Sequence, residues 1–157
     1  MTNFTPAPTR LSRQHWCGPF ALSILAGQDY DDAYKRILRS LRAWRKKRGV
    51  ARLPDRIQGM YPHEVMVASK TLGINLTWKR PKANERNINP TLKQFLDHML
   101  PRRFYLINIT RHYLTIDTHT WQWCDNHSRA WKPIDTCKWL RCRVEGFAEY
   151  QPKWIKL

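Results

Sequence analysis

An α+β fold is predicted for this chain, with N-terminal helices packed on a C-terminal antiparallel sheet. Apolar residues recur at three- and four-residue spacing through most of the first hundred positions, and with period two through the last third. Helices first and strands afterwards is the order of an α+β layout rather than of alternating βαβ units. No internal repeat or low-complexity tract divides the 157 residues, and 42% apolar content with 8 Trp, 6 Tyr and 5 Phe suits one folded domain.

Residues 1–13 hold Pro6 and Pro8 without periodicity and are expected to form an extended arm, leaving 14–157 as the domain. Phe20, Ala21, Ile24 and Leu25 share a helical face that Cys17 opens and Gly27 closes, with Pro19 tolerated in the first turn. A second helix is predicted over 29–48. Tyr30, Ala33, Tyr34, Ile37, Leu41 and Trp44 form its apolar face, and Lys35, Arg39, Arg42 and Lys46 a basic stripe opposite. The stretch 49–59 reads as loop, and a short helix follows over 62–72 with Gly73 behind it. Alternation of Ile74, Leu76 and Trp78 with polar residues predicts a strand over 74–79, and 81–89 reads as turns. Leu92, Phe95, Leu96 and Met99 predict a helix over 91–100.

A strand over 104–110, a tight link at Arg111–His112, a strand over 113–117, a turn at 118–120 and a returning strand over 121–125 follow. Trp131, Trp139 and the stretch 147–150 suggest one or two closing strands.

The charge is unusual: 28 Lys and Arg against 12 Asp and Glu, a formal +16. Such a field draws polyanions, nucleic acid or acidic protein surfaces, and speaks to association rather than fold. No RNP-type, helix-turn-helix or zinc-finger pattern accompanies it. Neither a signal-peptide pattern at 1–10 nor an apolar run of membrane-spanning length is visible, so no membrane partner is expected and a cytoplasmic setting is. Four cysteines are too few and too unevenly placed for a disulfide scaffold. Cys124, His127, Cys137 and Cys142 are zinc-ligand types with Cys-x2-His and Cys-x4-Cys spacings. The second spacing is loose, so buried thiols are the reading adopted, with no metal or other cofactor expected.

The strongest chemical signal is Gln14-His15-Trp16-Cys17-Gly18-Pro19-Phe20-Ala21-Leu22. A thiol at a helix N-terminus gains from unpaired N–H groups and the macrodipole, both of which favour the thiolate. Gly18 leaves room for a substrate carbonyl, and the Cys17 N–H can meet a developing oxyanion.

This segment resembles the nucleophile region of papain-like cysteine peptidases, particularly the bacteriocin-processing group and its stand-alone relatives, where Cys-Gly-Pro opens the central helix. The likeness runs in order and residue type from Ser12 to Asp125. It implies a papain-like fold and a thiol hydrolase acting on a protein or peptide at a peptide or isopeptide bond. Cys17 would be the nucleophile, His112 its base, and Asp125 the acceptor that orients the imidazole, with Asn126 the alternative third residue. Trp121, Trp123 and Asp125 are expected to share one strand face. The family's oxyanion glutamine stands five or six residues before the cysteine; here Gln14 is three before it and would need a tighter loop. The resemblance also implies an accessory role in a phage or mobile element, in the host cytoplasm or virion. The alternative class is a basic nucleic-acid-binding protein on an inactive peptidase fold, using Lys35, Arg39, Arg42 and Lys46.

Overall fold

The computed structural model describes residues 16–151. The arm and Gln14 therefore lie outside the described residues. Helix α1 runs Cys17–Ala26 and stops where Gly27 turns left-handed at φ 63°. The N–H groups of Gly27 and Gln28 then return to the Ile24 and Ser23 carbonyls. Residues 18–25 are all buried, so this helix is enclosed on every side. Helix α2, Tyr30–Lys47, starts where the Asp29 carboxylate accepts the N–H groups of Asp31 and Asp32, and ends on Arg45, Lys46 and Lys47, which complement the helix dipole. Tyr30, Ala33, Ile37 and Leu41 face inward, and Lys35, Arg39, Arg42 and Lys46 are exposed. Helix α3, Pro62–Thr71, opens on proline at its first position, and Glu64 accepts the Tyr61 N–H at 3.1 Å.

Two elements are shorter than their periodicity predicts. Alternation does bury Ile74 and Leu76, yet only β1, Trp78–Lys79, enters a ladder. The Ile74 N–H is spent on the Ser69 carbonyl, and the neighbouring strand meets this stretch only at Phe147 and Ala148. Helix α4 covers only Leu92–Leu96, with Thr91 and Gln94 forming a reciprocal cap. Beyond it the His98 and Met99 N–H groups bond three residues back, and Leu100 N–H goes to the Tyr105 hydroxyl at 2.7 Å. Phe95 and Met99 are buried without the helix reaching residue 100.

Strands β2 (Phe104–Ile109), β3 (His112–Asp117), β4 (Gln122–Cys124), β5 (Lys132–Pro133) and β6 (Val144–Tyr150) complete a six-stranded antiparallel sheet ordered β1-β6-β2-β3-β4-β5. The link between β2 and β3 is Thr110–Arg111 rather than Arg111–His112. Both link residues have positive φ, 37° and 64°, the geometry of a type I′ hairpin, and His112 pairs with Ile109 as the first residue of β3. The last strand does not extend the meander at its free edge. It inserts between β1 and β2. The segment around Trp139 is a turn after a short 3-10 helix at Ile134–Thr136, not a strand.

The sheet has a core on each face. Leu106, Tyr113 and Ala148 pack with α1, α2 and α3, whereas Ile107, Leu114, Ile116 and Phe147 pack with α4 and Cys137. The fold is thus α+β, with α4 on the face opposite the other three helices. No described helix is long and apolar enough to cross a membrane.

Candidate active site

Cys17 is the first residue of α1, where backbone N–H groups have no partner within the helix. The preceding Trp16 N–H donates to the Tyr30 hydroxyl at 3.0 Å, which ties the helix start to α2. On the other side, the Tyr113 hydroxyl donates to the Met60 carbonyl at 3.0 Å, linking β3 to the loop before α3. Gly18 is tightly enclosed: a Cβ there would stand 2.9 Å from the Met60 sulfur, which explains glycine next to the thiol.

His112 reaches the site because the Thr110–Arg111 turn ends the hairpin beside the start of α1. Thr110 is β-branched and held at positive φ, a conformation such residues rarely adopt. That strain sits two residues from the imidazole. Nε2 of His112 donates to Oδ2 of Asp125 at 3.0 Å, and the ring is close enough to the Cys17 sulfur for each group to shift the other's ionisation. With Nε2 engaged by the carboxylate, Nδ1 is the nitrogen left for sulfur.

Asp125, fully buried just past β4, is the most heavily bonded carboxylate of the group. Its Oδ1 accepts the His127 and Ser128 N–H groups at 3.1 and 2.7 Å, and its Oδ2 accepts the Trp139 indole N–H at 3.0 Å as well as the imidazole. Asn126, the alternative third residue, is not the group at Nε2; its carbonyl accepts the Arg129 Nε–H at 3.3 Å. The shared face expected for Trp121, Trp123 and Asp125 does not form. Trp121 lies outside the strand at φ 53° and is exposed, whereas Trp123 is buried opposite Ile116.

The electrostatics favour a charged pair. Burial pushes the Cys17 thiol up, but the His112 hydrogen bond and charge, with N–H groups of Tyr113 and Gly18, outweigh it and hold the thiol below its ordinary value. Burial alone would lower His112; its bonds to Asp125 and Cys17 push it up to about 9. Burial likewise opposes ionisation of Asp125, and His112, Ser128 and Trp139 together keep it well below the usual carboxylate range. At neutral pH the site therefore holds an imidazolium and a carboxylate in series, beside a thiol whose ionisation the imidazolium favours.

Two neighbours escaped the sequence reading. The Trp139 ring packs 4.6 Å from the His112 ring, centroid to centroid, and His127 lies 5.5 Å from it. Trp139 thus holds His112 by contact and Asp125 by a hydrogen bond. No local spacing marks it, because it comes from a turn fourteen residues past Asp125. Cys124 and Cys137 are buried and pushed up to about 12 and about 11, mainly by that burial. Among the described residues no three His, Cys, Asp or Glu side chains are grouped as metal ligands would be, so Cys124, His127, Cys137 and Cys142 do not form the zinc cluster their spacing allowed.

The chain matches no family model, no curated protein and no solved structure.

Proposed function

We propose that this protein is a papain-like thiol hydrolase that cleaves a peptide or isopeptide bond through an acyl-enzyme on Cys17. One observation carries the reading: a helix-terminal thiol whose ionisation is eased by a neighbouring imidazole, itself held at Nε2 by a buried carboxylate. The Cys17 thiolate attacks the substrate carbonyl, forming the C–S bond. The oxyanion meets the free Cys17 N–H and, in this reading, the Gln14 side chain. His112 gives its proton to the leaving amine as the C–N bond breaks, and then takes a proton from the water that hydrolyses the thioester. Asp125 and Trp139 keep the ring in place and keep its charge favourable throughout. A reactive thiolate suits a reducing compartment such as the cytoplasm.

The test is labelling with a peptidyl electrophile at pH 7, on the native chain and on Cys17→Ala. Rapid, stoichiometric labelling that disappears in the variant supports the proposal. Labelling that persists in the variant, or fails in the folded native chain, ends it.

A further inference from the structure

The basic stripe of α2 is not uniform in its surroundings. Near its start, the groove that holds Lys35 and Arg39 also holds Asp29 and Asp32, so the field there is mixed. Farther along, Arg42 is bound to Asp55 at 3.3 Å. The end of α2 differs. Residues 44–64 contain six cations and two acids, and both acids are already taken, Asp55 by Arg42 and the buried Glu64 by Arg45.

At this same end four side chains touch in series, forming one column of contacts. The Arg48 guanidinium lies 4.4 Å over the Trp44 ring. Trp44 packs on His63 at 5.4 Å, and His63 stacks on Tyr61 at 5.7 Å with the two rings within 7° of parallel. Tyr61 ends the column and is 69% exposed. It precedes the first residue of α3, yet its side chain does not supply the oxygen cap usual at that position, since serine, threonine or a carboxylate would do so far better. An exposed aromatic ring that neither caps the helix nor joins the core, in a cation-rich stretch of the chain, has the properties of a stacking platform.

We infer that this column is a docking site for single-stranded nucleic acid: a base stacks on the open face of Tyr61 while phosphates run along Arg48 and the exposed Arg52 and Arg56 of the adjoining loop. An acidic peptide would satisfy the cations but gains little from a flat, open ring; a base satisfies both. The site is independent of the thiol chemistry, although Met60, against Gly18, is the residue next to Tyr61 in the chain.

Fluorescence anisotropy of a labelled oligothymidylate 20-mer tests it with the full-length chain. Binding should weaken steeply as salt rises, and Tyr61→Ala should weaken it about fivefold or more. Tyr61→Phe, which keeps the ring, should bind like the native chain, and so should Cys17→Ala. Arg52→Glu with Arg56→Glu should flatten the salt dependence. If Tyr61→Ala binds like the native chain, or if polyglutamate of equal length competes as well as unlabelled oligothymidylate, the site is charge alone and the inference falls.

Discussion

Two of the four cysteines lie at opposite ends of the same chain of polar groups, and their chemistry is opposite. Cys17 is next to His112, and its thiol is held below the ordinary value. Cys124 is next in sequence to Asp125, and its thiol is pushed up to about 12. Both are desolvated, and burial raises both. The difference lies in what faces each sulfur: Cys17 has a cation and backbone N–H groups, whereas Cys124 has a hydroxyl and an adjacent carboxylate whose charge opposes ionisation. How readily each sulfur ionises follows the dipoles and charges beside it as well as its burial.

The largest expected effect comes from making Cys17 resemble Cys124. His112→Ala removes the cation and leaves the burial, so the thiol should return to its ordinary 9.0 or above. At pH 7 about 1% would then be ionised, and allowing for the greater intrinsic nucleophilicity of a more basic thiolate, alkylation of Cys17 should slow about 10- to 100-fold. Stopped alkylation followed by mass measurement reads this directly. An unchanged rate would mean that the helix N-terminus alone sets the thiol.

A middle effect is expected one group farther away. Asp125→Asn keeps the shape and removes the charge that helps hold His112 at about 9. Hydrolysis in the proposed mechanism needs the imidazolium, so its alkaline limb reports loss of that proton. The limb should stand near pH 9 in the native chain and move down toward the ordinary 6.5 in the variant. A limb that stays at 9 would assign the raised value to the thiolate alone.

The smallest effect is expected from Trp139→Phe, which keeps a ring against His112 but removes the indole N–H from Asp125. Asp125 retains its bonds from His112, His127 and Ser128, so the cost should be about 1–2 kcal/mol of stability in urea unfolding, with a few-fold loss in alkylation rate. Full native behaviour would make Trp139 a packing residue only.

How much of this was legible in the sequence varies with how local the determining physics is. The Cys17 helix and its glycine stop follow from spacing and from one residue that tolerates a left-handed turn, and both emerge at the predicted positions. His112 and Asp125 were named through the resemblance, and the structure places them in hydrogen-bond contact with each other. The turn before His112 was misplaced by one residue because Thr110–Arg111 lacks the Asn-Gly chemistry that normally signals a type I′ hairpin. Helix α4 was drawn too long because Met99 keeps its burial after the backbone has left the helix. Trp139 and the insertion of β6 were invisible to period or spacing, since both depend on contacts between distant parts of the chain.

The position of β6 has a consequence for how the molecule is made. An interior place in the sheet, between β1 and β2, is filled by residues 144–150, which are made after the other five strands, so a growing chain holds β2 with one bare edge while Cys17, His112 and Asp125 are already synthesised. Such an edge invites pairing with other chains until its own partner arrives. Nascent chains stalled before residue 144 should therefore associate through β2 rather than yield a smaller folded domain, and the contacts around Cys17 and His112 should mature only when β6 has slotted home.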